Sequence, residues 1–166
     1  MKKLLVMAAF VFAGLGVANA QEGSFNAGVN LGIPTGDSSD AYSFAMSVEA
    51  NYLFDVSESF KVGPSVSYSH YLGKNDVLGS GFDVDDASFL PIAAAGRYAV
   101  SDKFTVGADL GYGIGISPDE NDGGFYYRPM VGYSVSEKVM IQASYSAVDT
   151  DGITVSNFGV GAMFAL

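Results

Sequence analysis

Phe104-Thr105-Val106-Gly107-Ala108-Asp109-Leu110-Gly111-Tyr112-Gly113-Ile114-Gly115-Ile116 alternates apolar with small or polar residues without a lapse. Successive side chains of an extended strand point to opposite faces, so the pattern predicts a strand with one oily face and one lined by Thr105, Asp109 and four glycines. The same period runs through residues 24–33, 42–54, 60–72, 88–100, 125–135, 139–147 and 156–166, which makes eight strands. Phe25, Ala27, Val29, Leu31 and Ile33 share a face in the first; Tyr42, Phe44, Met46, Val48, Ala50, Tyr52 and Phe54 do so in the second. In the fourth, Leu90, Ile92, Ala94, Tyr98 and Val100 are assigned to the apolar face, because the other parity would put Arg97 there.

The connections fall into two classes that alternate along the chain. Val56-Ser57-Glu58-Ser59-Phe60, Val100-Ser101-Asp102-Lys103-Phe104 and Val135-Ser136-Glu137-Lys138-Val139 repeat one pattern, Val-Ser-acid-x-apolar, at spacings of 44 and 35 residues. Between them lie longer polar segments, residues 34–41, 73–87, 117–124 and about 148–155, rich in Gly and Asp. Tight turns on one side and longer loops on the other are the habit of transmembrane β-barrels.

Composition narrows the function classes. Of 166 residues, 49% are hydrophobic and 16% charged, and the formal net charge is −10, so a nucleic-acid binder has no basic surface to work with. The absence of Cys excludes disulfides, thiolate metal sites and a cysteine nucleophile. Residues 1–20 read as a secretory signal peptide: Lys2 and Lys3, an apolar stretch from Leu4 to Val17, then Ala18-Asn19-Ala20. Its removal takes away two lysines and moves the net charge from −10 to −12 for residues 21–166. No later run approaches the roughly 20 apolar residues of a spanning helix.

A soluble barrel could hide the oily face inside, but the polar face here is too weakly charged for a soluble exterior. Within strands only Glu49, Lys61, Arg97, Asp109 and Arg128 carry charge; the rest of that face is mainly Gly, Ser and Asn. Aromatic residues are also sorted by height. Phe54, Phe60, Tyr98, Phe104 and Tyr133 lie beside the short turns, and Tyr42, Phe44, Tyr68, Tyr112, Phe125, Tyr127 and Tyr145 beside the long loops, with an aliphatic band between.

With these features the chain resembles the small eight-stranded outer-membrane barrels of Gram-negative bacteria, similar in plan to the outer-membrane protein A membrane domain and outer-membrane protein X. The last strand resembles the group's assembly signal, with Asn157, Gly159, Ala162 and Phe164 or Gly159, Gly161, Phe164 and Leu166 at its spacing, though Leu166 replaces the usual final aromatic. The resemblance implies an all-β, eight-stranded antiparallel up-and-down transmembrane barrel over residues 21–166. It also implies export through the periplasm, insertion into outer-membrane lipid by the barrel assembly machinery, and a monomer. No wall-binding domain is expected after Leu166.

An eight-stranded lumen is about filled by its own side chains. Glu49, Lys61, Arg97, Asp109 and Arg128 are therefore expected to form a hydrogen-bonded interior network, with Arg97 near Asp109. Pro64 and Pro129 on the outer face, and Pro91 inside, each remove a ladder donor and call for bulges or broken pairing. Eleven loop acids, Asp37, Asp40, Asp76, Asp83, Asp85, Asp86, Asp119, Glu120, Asp122, Asp149 and Asp151, face a single Lys74. Runs 83–86 and 119–124 offer oxygen ligands for calcium without EF-hand spacing, so solvated loops are the expectation and no metal or cofactor is assigned.

Some barrels of this size are acylases or proteases, which need a nucleophile beside a base. His70 is the only histidine, and its neighbour Ser69 points to the opposite face. The chain accordingly reads as non-enzymatic, with His70 at the outer rim. Its expected role is structural or surface interaction through acidic extracellular loops; a narrow channel for ions or small solutes is the alternative.

Overall fold

A computed structural model of the protein describes residues 23–75, 83–150 and 152–166. The expected export signal, residues 1–20, and the loop acids Asp76 and Asp151 lie outside the described residues. The chain forms β1 (Gly23–Pro34), a single helical turn α1 (Ser38–Ala41), β2 (Tyr42–Asp55), β3 (Phe60–Gly73), β4 (Ala87–Ala99), β5 (Phe104–Ser117), β6 (Gly124–Ser134), β7 (Val139–Thr150) and β8 (Ile153–Ala165). Each strand pairs antiparallel with its sequence neighbours, and β8 returns to β1, closing an up-and-down barrel.

Closure turns the alternating faces into an inside and an outside. Val29, Leu31, Val48, Val66, Leu110, Val131 and Val160 are each between 44% and 59% exposed on the outer wall, whereas Glu49, Arg97, Asp109 and Arg128 are at most 6% exposed within. A wall of aliphatic side chains this continuous is matched to hydrocarbon, where closure also leaves no unpaired strand edge. Tyr52 and Phe54 meet at 4.9 Å and Phe104 and Tyr133 at 5.0 Å near the short turns; Phe125, Tyr127 and Tyr145 form a chain of contacts at 6.1 Å near the opposite end.

The repeated pentapeptide has a single physical explanation. In all three tight turns the Val N–H donates to the carbonyl of the closing residue, at 2.9 Å in Val56–Phe60, 2.8 Å in Val100–Phe104 and 2.9 Å in Val135–Val139. Ser57, Ser101 and Ser136 each accept, through Oγ, the N–H of the residue three positions on, at 3.1 Å. A serine at that place satisfies a donor that the turn would otherwise leave to water.

The prolines are accommodated without a register shift. Pro64, Pro91 and Pro129 pair in register with Ala94, Gly113 and Ala108 on one side. On the other side the ladder lapses locally, opposite Tyr52 in β2 for Pro64, opposite Ser67 in β3 for Pro91, and opposite β7 for Pro129. Proline lacks a donor toward one neighbour only, so one side of each ladder is lost.

Two expectations are corrected. The segment 148–155 is not a long loop, since the β7–β8 ladder runs to Thr150 opposite Ile153. Val148 and Val155 are drawn inward, 2% and 7% exposed, where they join the interior cluster, and Gly152 takes the left-handed φ of 108° in the turn. Tyr42 does not belong to the outer aromatic girdle. A register shift between Tyr42 and Phe44 turns its ring toward Tyr71, at 5.6 Å, and against the interior cluster.

Candidate functional site

The lumen holds a compact ionic centre. Arg128 on β6 donates through Nη1 to Glu49 Oε2 on β2, and its Nε lies 3.4 Å from Asp109 Oδ2 on β5. Arg97 on β4 donates through Nη1 to Asp109 Oδ1 at 2.6 Å, and to the carbonyls of Gly96 at 2.9 Å and Ala108 at 3.3 Å. Glu49 Oε1 accepts from Asn30 Nδ2 on β1 at 3.0 Å and from Gln142 Nε2 on β7; Gln142 Nε2 also donates to Asn30 Oδ1 at 2.9 Å. Two carboxylates against two guanidinium groups leave the centre neutral, the condition under which buried charge is tolerable.

Four of the five expected charges thus meet. Lys61 does not: it pairs with Asp55 at 2.8 Å near the short turns, where both side chains are about 40% exposed. Lys61 lies opposite Asp55 in the β2–β3 register and opposite Arg97 in the β3–β4 register, so the carboxylate directly across from it is Asp55, while Arg97 takes Asp109. Asn30 and Gln142 were missed because a neutral amide carries no signal in a pattern of charge. Asn30 does fall on the polar face of the first strand's alternation, opposite Val29 and Leu31.

Above the ionic centre, toward the longer connections, the interior is apolar. Tyr71, Phe89 and Tyr126, exposed 1%, 1% and 3%, pack with Ala45, Ala87, Ala93, Val148 and Val155, and Tyr71 meets Phe89 edge-on at 6.1 Å. Asn157 Nδ2 donates to the Tyr71 hydroxyl at 2.7 Å. The inward aromatics went unrecognised because they sit on the face otherwise given to Gly and Ser. One cavity of about 340 Å³ opens among the short turns and is lined in part by Asn26, Lys61, Arg97 and Lys138. A second, of about 170 Å³, lies at the other end beside Ser38, Phe89 and Val155. They share no lining residue, and the ionic and aromatic layers stand between them.

The loop end is tied down by hydrogen bonds. In α1, Ser38 is 2% exposed; its Oγ donates to the Thr154 carbonyl at 2.9 Å and accepts from Ser156 N–H at 2.8 Å. Lys74, the only loop cation, donates to the Ser39 carbonyl at 2.6 Å, linking the first two long connections. Among the described residues, no three His, Asp or Glu side chains converge as a metal site requires. His70, on the outer wall, lies in register with Ser88. Its Nδ1 is 2.8 Å from Ser88 Oγ and its Nε2 3.3 Å from Asp86 Oδ2.

Comparison with known proteins gives the same architecture. A family model described as outer membrane protein beta-barrel domain matches residues 5–165. No curated protein matches. Among solved structures, Ail, the attachment invasion locus protein of Yersinia pestis, is 15% identical, covering 88% of this chain and 99% of its own, with a TM-score of 0.56. The N-terminal beta-barrel domain of Pseudomonas aeruginosa OprF is 12% identical over 88% of this chain and 99% of its own, at 0.52. A de novo designed transmembrane beta-barrel is 15% identical over 86% and 95%, at 0.55. At such identities the likeness is one of fold, and the family match carries the assignment: this chain belongs to the outer membrane protein beta-barrel domain family and resides in the outer membrane.

Proposed function

We propose that this barrel is a non-conducting outer-membrane protein whose work is surface interaction through its acidic extracellular loops, a role that requires no chemistry of lumen or loops. The observation that supports it is the ion pair from Arg128 to Glu49, with Asp109 and Arg97 beside it and the Tyr71–Phe89–Tyr126 layer above. A wide aqueous path has no room in a barrel of eight strands. The loops bear Asp37, Asp40, Asp83, Asp85, Asp119, Glu120 and Asp122, and their one lysine is engaged by a carbonyl. Such a surface suits a cationic partner. Ail has been solved with the heparin analogue sucrose octasulfate, a polyanion that these carboxylates would repel.

The signal peptide at residues 1–20, delivery to the assembly machinery through the C-terminal strand, and a monomeric state belong to the same reading. Single-channel recording on protein refolded into planar bilayers tests it: a silent membrane is expected. Steady openings would replace it with the narrow-channel reading, in which the ion pair parts to admit ions.

A further inference from the structure

We propose that Ser88, His70 and Asp86 form a nucleophile–base–acid relay on the outer wall, acting on carboxylic esters presented at the lipid–water interface. The proposal goes beyond the loop-based role above and reverses the sequence-based expectation of a protein without enzymatic activity. That expectation weighed Ser69, the neighbour within one strand; folding brings in Ser88 from the adjacent strand instead.

The geometry has the order that nucleophilic catalysis needs. Ser88 Oγ lies 2.8 Å from His70 Nδ1, within reach for proton transfer. Asp86 Oδ2, 3.3 Å from Nε2, favours the tautomer with its proton on Nε2 and leaves Nδ1 free to accept. Asp86 is itself held, Oδ1 accepting the Gly73 N–H at 2.8 Å and its carbonyl accepting from Ser117 Oγ at 3.2 Å. Tyr68 donates its hydroxyl to Ser88 Oγ at 3.1 Å and so covers the nucleophile until a substrate takes its place. Tyr68 stacks on His70 at 6.5 Å.

Position selects the substrate. Tyr68 and His70 share the outward face of β3, a few residues from its loop end at Gly73, where aromatic side chains mark the interface. Ser88 is 3% exposed, so an ester enters by displacing Tyr68, which is 41% exposed. The reaction is hydrolysis. Ser88 Oγ bonds the acyl carbon as its proton passes to His70 Nδ1; the ester C–O bond breaks and the leaving alcohol takes that proton. Water then gives a proton to Nδ1 and its oxygen to the acyl carbon, and Ser88 recovers the proton as the acid departs. In this scheme Ser88 and His70 are catalytic and Asp86 is a positioning residue.

The test uses the mature chain folded into vesicles of phosphatidylethanolamine and phosphatidylglycerol and treated with a long-chain alkyl fluorophosphonate. Peptide mass spectrometry is expected to find the adduct on Ser88 of the wild type, a readout that does not depend on any variant folding. Ser88→Ala should abolish labelling and His70→Gln should slow it by about 100-fold or more. Asp86→Asn should slow it, with Asp86→Glu restoring part of the rate, while Ser69→Ala, which faces the lumen, leaves it unchanged. An unlabelled wild type, or an adduct on another residue, overturns the proposal. Release of fatty acid from the phospholipid supports a lipid ester as substrate; cleavage of a soluble acetate ester alone keeps the relay and overturns the lipid assignment. None of these outcomes bears on channel recording, so the loop-based reading stands or falls separately.

Discussion

Arg128 and Glu49 stand on β6 and β2, four strands apart in a ring of eight, so their ion pair spans the full width of the lumen. Asp109, next to Arg128 in the β5–β6 register, holds the same guanidinium from its own side of the barrel. The pair therefore acts as a crossbar between opposite walls, both of its side chains at most 3% exposed.

Cutting the crossbar at one end leaves a buried charge without its partner. Glu49→Ala is expected to destabilise the barrel by about 3 to 5 kcal/mol, and Glu49→Leu combined with Arg128→Leu by less than either single change. Urea titration of the protein in lipid vesicles, followed by tryptophan-free strand circular dichroism, measures both; a double variant worse than Glu49→Ala would contradict the crossbar.

The outer wall should reject charge more strongly than the inner. Val48→Arg and Val106→Arg, at positions 55% and 42% exposed, each place a cation in hydrocarbon and should cost about 2 to 4 kcal/mol near the midplane. Ser47→Arg, inward from Val48, should be milder. Equal losses at the two parities in the same titration would refute the inside–outside assignment.

Inner glycines should differ according to what stands opposite. A side chain at Gly111 would run into the Ile92 carbonyl and the Ala93 backbone, whereas at Gly132 it would meet the flexible thioether of Met140. Gly111→Ala is expected to cost about 1 to 3 kcal/mol and Gly132→Ala appreciably less, since backbone cannot step aside and a methionine can. Refolding yield and urea midpoint together show the difference.

The aromatic layer should matter through volume more than through its hydroxyl. Tyr71→Ala is expected to lose about 3 to 5 kcal/mol, the usual range for emptying a buried aromatic site. Tyr71→Phe gives up only the bond from Asn157, about 1 kcal/mol. If Tyr71→Phe proves the worse variant, the hydrogen bond and not the packing holds the outer half closed.

Much of the barrel was legible along the chain because alternation is a local property. The eight strands, the outward Val48 and Val106, and the inward Glu49, Arg97, Asp109 and Arg128 follow from counting by twos. The serine-capped turns were legible for the same reason, since donor and acceptor lie three residues apart. Tyr42 was misplaced because a bulge interrupts the count, and residues 148–155 because polar Asp149, Thr150 and Gly152 masked two inward valines.

The sequence by itself determined that the chain would build strands, which residues each would turn to oil, and where the tight turns would fall. Only the tertiary structure decided which inward groups meet: that Arg128 crosses to Glu49, that Lys61 stays with Asp55, that Gln142 and Asn30 complete the centre, and that His70 finds Ser88. The reason is range. Facing is set by the pleat of a single strand, whereas meeting depends on the stagger between strands and on the diameter at which the ring closes, and no segment of a few residues carries either.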